Sequence, residues 1–157
     1  MIKVLFVCLG NICRSPMAEA VFRNKVEKAG LNNRIVIDSA GTGDWHVGQP
    51  PHEGTRQKLD DNGISYQGME GRQLTGSDLH DFDYIIAMDE SNEENIKRLA
   101  ERENKANIVR FMSLVGDQPT RNVPDPFFTG NFDEVYNLIE KGSDALLEKI
   151  LLEEGGD

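Results

Sequence analysis

The stretch that most constrains this chain is Val4-Leu5-Phe6-Val7-Cys8, followed by the loop Leu9-Gly10-Asn11-Ile12-Cys13 and then Arg14-Ser15-Pro16. The apolar, β-branched run before Cys8 predicts a strand covered on both faces, as in a parallel sheet. From Pro16 the periodicity becomes helical. Pro16 suits a first helical position, Ser15 a cap, Glu19 the first turns, and Ala18, Val21, Phe22 and Val26 form an apolar stripe. The loop therefore opens onto a helix N-terminus, where unpaired N–H groups and the positive dipole end bind an anion and favour a thiolate. Cys8 is expected to be a thiolate near neutral pH.

The remaining pattern repeats this alternation. A helix is expected to about Ala29, a strand over 34–40, a loop over 41–51 and a helix over His52 to Asn62. Residues 64–75 read as irregular, with a helical turn over 77–81. Tyr84 to Met88 is a second buried strand, followed by Asp89 and a helix capped near Ser91; Ile108 to Phe111 is a short fourth strand. Met112 to Gly130 reads as a long loop holding Pro119, Pro124 and Pro126, and Phe132 to Leu152 as a last helix despite Gly142 in its middle. Alternating strands and helices imply an α/β fold, a three-layer sandwich with a central four-stranded parallel sheet and helices on both faces. Ligands in such sheets bind beyond the carboxyl ends of the strands, where Cys8 sits.

At 157 residues the chain is expected to form a single domain, 1–157, able to bury a core without staples. No stretch reaches the apolar length of a membrane span, and residues from Ile2 onward read as strand rather than signal peptide, so a cytoplasmic location is expected. A net charge of −10 argues against general binding to nucleic acid or membrane surfaces, although one local cation can still hold an anionic substrate. Two cysteines are too few for a disulfide scaffold or a structural zinc site. The histidines, His46, His52 and His80, have no metal spacing and read as surface residues, so neither metal nor cofactor is expected.

Cys8 and Arg14 stand in the spacing Cys-x5-Arg. Five intervening residues let the backbone curl so that its N–H groups converge on a tetrahedral anion, with a planar guanidinium closing the ring. Ser15 can donate a hydroxyl hydrogen to the Cys8 sulfur, and Gly10 and Asn11 tolerate the positive φ such a loop requires. Each residue alone has a bland explanation, Cys as a small buried hydrophobe and Arg as a surface charge. The combination, with a strand before and a helix after, does not.

Val-Cys-Leu-Gly-Asn-Ile-Cys-Arg-Ser-Pro-Met-Ala-Glu-Ala resembles the signature of the low-molecular-weight protein tyrosine phosphatases. Asp38 to Thr42, Asp44-Trp45, Phe82 to Ile85, Met88 to Asn92 and Val123 to Phe127 also resemble segments of that family in its order. The resemblance implies the strand order 2-1-3-4 and a metal-independent hydrolase acting on phosphotyrosine through a phosphocysteine on Cys8. It assigns Leu9, Gly10, Asn11, Ile12, Cys13 and Ser15 to the phosphate loop, with Ser39 supporting it. It gives Asp125 the role of general acid and then base, although Asp-Pro is also a plain turn initiator. Asp89 could compete for that role but reads equally well as a helix cap.

Trp45, Leu9, Phe127 and Phe128 are expected to wall a slot for an aromatic ring. Relatives often carry tyrosines at the two Phe positions, and a histidine shortly before the Arg-Gln pair. Here Met69-Glu70-Gly71 precedes Arg72-Gln73, which leaves the Asn11–Ser39 network without that support. Cys13 is expected to trap an oxidised Cys8 as a reversible disulfide. Implied partners are phosphotyrosine-containing proteins, a tyrosine kinase among them, with the chain a monomer or at most a weak dimer.

Three other functions fit parts of this pattern. A phosphoarginine phosphatase would resemble this loop but with a small polar residue in place of Ile12. An arsenate reductase would relay its disulfide to further cysteines, and none lies outside the loop. A phosphopeptide-binding module without turnover needs neither Cys8 nor Asp125.

Overall fold

In the computed structural model, residues 1–100, 106–116 and 122–154 are described. Four strands, β1 (Ile2–Cys8), β2 (Ile35–Gly41), β3 (Tyr84–Ala87) and β4 (Asn107–Arg110), form one sheet in the order β2-β1-β3-β4. All neighbours are parallel, with Val4 opposite Ile37 on one side and Tyr84 on the other. The helices are α1 (Arg14–Lys28), α2 (Glu53–Asp61), α3 (Asp78–Asp81), α4 (Glu90–Leu99), α5 (Pro126–Thr129) and α6 (Phe132–Glu153). The expected α/β sandwich and its strand order are both present.

Alternation along the strands sends successive side chains to opposite faces. Val4, Phe6, Tyr84 and Ile86 pack with residues of α1 and α6, including Phe22, Val26, Ile139 and Ile150. Leu5, Val7, Ile85 and Ala87 meet Leu79, Phe82 and Ile96 on the other side. Phe6 is the pivot of the first core, edge-on to Phe22 at 5.6 Å and to Phe111 at 6.4 Å between ring centres. Each such fully buried ring stabilises the fold by roughly 1.5–3 kcal/mol. α6 runs unbroken through Gly142, and a Cβ there would lie 2.1 Å from the Phe111 ring.

Several boundaries differ from the sequence reading. α1 begins at Arg14 rather than Pro16, and Ser15 is not its cap; Cys13 takes that position without a side-chain capping bond. The Ser15 hydroxyl is engaged inward instead, with Cys8 and Asn11. α4 is capped by Asp89, whose Oδ1 accepts the Asn92 N–H at 2.7 Å, and Ser91 lies inside its first turn. His52 precedes α2 as its cap, Nδ1 accepting the Gly54 N–H at 3.0 Å. Phe111 leaves the strand for a 3-10 turn (Phe111–Leu114), and the span read as one long loop also holds α5. Pro119 lies outside the described residues.

Strand order reverses between β1 and β3, so the crevice beyond their carboxyl ends is open to a ligand. Cys8 ends the first strand and Asp89 follows the second. Among the described residues, no helix is long and apolar enough to cross a membrane.

Candidate active site

The loop between Cys8 and Arg14 is held from outside by its carbonyl groups. Thr42 N–H binds the Cys8 carbonyl and Gly43 N–H that of Leu9, both at 2.9 Å; His52 N–H binds that of Ile12 at 2.6 Å. The buried Thr55 hydroxyl donates to the Cys13 carbonyl at 3.2 Å. Because a trans peptide sets C=O and the following N–H on opposite sides, these tethers turn the N–H groups of Leu9, Gly10, Cys13 and Arg14 toward the concave side. The β2 end can approach this closely because residue 41 is glycine. A Cβ there would stand 2.9 Å from the Leu9 carbonyl oxygen and 3.1 Å from Asn11.

Asn11 is the one non-glycine residue with positive φ among the described residues, at 57°. Its amide supports this left-handed conformation from both ends. Oδ1 accepts the Arg72 N–H at 2.9 Å, while Nδ2 donates to Ser15 Oγ at 2.8 Å and Ser39 Oγ at 3.0 Å. The Arg72 backbone and Ser39 thus support Asn11 in a chain that lacks the histidine many relatives carry. Cys8 is 3% exposed, and its sulfur receives the Asn11 N–H at 3.3 Å and lies 3.0 Å from the Ser15 hydroxyl. Donors aimed at sulfur stabilise negative charge there.

Arg14 is buried, and its Nη1 donates to Asp89 Oδ2 at 2.6 Å and the Val123 carbonyl at 3.0 Å. Its Nη2 reaches Asp125 Oδ2 at 3.4 Å, and Nε has no acceptor among the described residues. The edge formed by Nε and Nη2 therefore keeps donors for a pair of anionic oxygens. Burial works against the guanidinium's charge, but Cys8, Asp89 and Asp125 outweigh it and hold its pKa above the ordinary value. Asp89 both caps α4 and fixes Arg14, so its cap role and a site role coexist. Asp125 caps α5, Oδ1 accepting the Phe127 N–H at 3.1 Å.

Cys8, Ile12, Cys13 and Asp125 line one cavity of about 270 Å³ with Leu9, Gly10, Trp45, His46, Phe127 and Phe128. Trp45, Phe127 and Phe128 are 66%, 52% and 75% exposed, so neither phenylalanine belongs to the core. They form the mouth, Phe128 edge-on to Phe127 at 5.4 Å. Two histidines read as surface residues are part of this surround. His46 lies against Gly10, fixed by a 2.9 Å bond between Nδ1 and Gln49 Oε1, and His52 stacks on Phe132 at 5.2 Å and meets Phe127 edge-on. His80 is exposed, as expected. Among the described residues, no group of three or more His, Cys, Asp or Glu converges as a metal site requires. No spacing or motif pointed to His46, whose place beside Gly10 depends on a loop folding over it.

A parallel sheet carrying a Cys-x5-Arg loop at its switch point, with a carboxylate across the cavity, defines the class of cysteine-dependent phosphatases. The sequence profile described as low molecular weight phosphotyrosine protein phosphatase matches residues 3–154. The low molecular weight protein-tyrosine-phosphatase YfkJ of Bacillus subtilis is 54% identical over 96% of each chain. Its crystal structure covers 98% of this chain and 96% of its own, with a TM-score of 0.94. PtpA of Staphylococcus saprophyticus is 44% identical, covering 96% of this chain and 95% of its own. The crystal structure of a Drosophila arginine phosphatase is 35% identical, with a TM-score of 0.89, covering 95% and 98%. The chain belongs to the low molecular weight phosphotyrosine protein phosphatase family.

Proposed function

We propose that this chain hydrolyses phosphotyrosine in proteins by two displacements at Cys8, without a metal ion. Cys8 and Asp125 lining one aromatic-mouthed cavity, with the buried Arg14 guanidinium paired to Asp125 behind it, carry this reading. In the first step sulfur attacks phosphorus, the bond to the tyrosyl oxygen breaks, and Asp125 supplies its proton. The Nε/Nη2 edge of Arg14 and the inward N–H groups hold the three equatorial oxygens. In the second step water attacks phosphorus, Asp125 accepts its proton, and the sulfur leaves.

Trp45, Phe127 and Phe128 hold the phenol ring, with Leu9 and Ile12 below it. An apolar Ile12 wall suits an aryl ring better than the guanidinium of phosphoarginine. The chain acts as one cytoplasmic domain, a monomer or at most a weak dimer, with phosphotyrosine-containing proteins, a tyrosine kinase among them, as partners. Cys8→Ser is expected to abolish turnover, and Asp125→Ala to slow phosphorylation of Cys8 by about 10²–10⁴-fold, most with poor leaving groups. Rates on phosphotyrosine, phosphoserine, phosphoarginine and arsenate test the reading. Full activity in Cys8→Ser, or preference for phosphoarginine, refutes it.

A further inference from the structure

Glu19 is a carboxylate that the displacement chemistry does not use. It lies on α1, faces inward and is only 6% exposed. Burial raises its pKa, opposed by hydrogen bonds from Ser39 and Arg23 and by the Arg23 charge, with Asp38 adding to the rise. Arg23 Nη2 holds Glu19 Oε2 at 2.5 Å while also donating to the Ile37 carbonyl at 3.1 Å, so the carboxylate is clamped between α1 and β2.

From Glu19 a chain of hydrogen bonds runs to the nucleophile, and donor accounting fixes its direction. Glu19 Oε1 accepts the Ser39 hydroxyl hydrogen at 2.6 Å. Ser39 Oγ, its single hydrogen spent, presents a lone pair to Asn11 Nδ2. The Asn11 amide cannot flip, because Oδ1 already accepts the Arg72 N–H. Nδ2 gives its other hydrogen to Ser15 Oγ, so the Ser15 hydroxyl points its own hydrogen at the Cys8 sulfur. A neutral end group able to donate to Ser39 would allow the first hydroxyl to reverse and the Asn11 contact to weaken.

We propose that Glu19 is the positioning residue that anchors the far end of this relay, acting with the Arg72 N–H to keep Asn11 in its left-handed conformation and Ser15 as a permanent donor to Cys8. The inference rests on Cys8 being the nucleophile. Glu19 touches no substrate and acts only through Ser39, Asn11 and Ser15. It supplies from α1 a fixed acceptor for the Ser39 hydroxyl.

The test compares wild type, Glu19→Gln, Ser39→Ala and the double variant. Site-specific alkylation by iodoacetamide, mapped by mass spectrometry across pH 5–9, reads Cys8 directly and does not depend on turnover. Arg14, Cys13 and Asp125 surround the sulfur, and Arg23 and Asp38 face Glu19; none of these is changed. Glu19→Gln is expected to slow Cys8 alkylation at neutral pH by roughly 3- to 10-fold and move its profile to higher pH. kcat should fall with it, while KM for phosphotyrosine stays near wild type.

The double variant is expected to behave as Ser39→Ala alone, since both break one chain. An alkylation profile for Glu19→Gln that coincides with wild type overturns the proposal, as does a double variant whose losses add. Should Glu19→Gln fold poorly, the Ser39→Ala profile decides: it must shift in the same direction. Wild type showing no preferential alkylation of Cys8 would instead refute the nucleophile assignment.

Discussion

Cys13 and Cys8 share one cavity but differ in chemistry. Burial, then Cys8 and Asp125, push the Cys13 thiol up to about 12, so it keeps its proton throughout the working range of the protein. Iodoacetamide at pH 7–9 is therefore expected to leave Cys13 unmodified while it labels Cys8, and mass mapping checks this. In the trapping role expected of it from the sequence, Cys13 would act only after Cys8 is oxidised: a Cys8 sulfenic acid would condense with the Cys13 S–H, releasing water and forming the disulfide. Peroxide followed by thiol reduction should restore activity in wild type and much less in Cys13→Ser. Equal recovery in both would refute the trapping role. Cys8, Arg14 and Ser15 were legible because eight consecutive positions carry them. Glu19 was not, since its apparent place in a first helical turn matches an ordinary capping pattern, and only the fold brings β2 against it.

At the scale of elements, the phosphate loop is a product of its neighbours. The β2 end and α2 hold its carbonyls, and α2 can do so because His52 caps it while the His52 N–H reaches Ile12. Strand and helix periodicities were readable since they depend on local burial, whereas the starts of α1 and α4 were displaced. Ser15 and Ser91 satisfy capping statistics, but the first hydroxyl is committed to the site and Asp89 supplies a better acceptor two residues earlier. Gly142 shows the opposite case, a weak helix former retained for packing. Gly142→Ala gains helix propensity, about 0.5–1 kcal/mol, but pushes a methyl into the buried Phe111 ring at a cost of about 1–3 kcal/mol. Urea denaturation should show a net loss of stability, with near-normal activity in the folded fraction.

For the molecule as a whole, the strand order was the decisive long-range fact, because it sets the β1 end that carries Cys8 beside the β3 end that leads to Asp89. A chain of net charge −10 then attracts a dianion only through a local device, the loop amides and Arg14. Turnover of a phosphotyrosine peptide is expected to be unchanged by EDTA, and a strict divalent requirement would contradict the two-displacement reading. The Asp89 carboxylate joins two parts of this arrangement: one oxygen caps α4 and the other holds Arg14. A lineage can therefore rewrite the exposed face of α4 freely, yet any insertion or deletion between Ala87 and Asp89 would disturb the helix and the guanidinium in the same event. Descent is tolerant along that helix and strict at its first step.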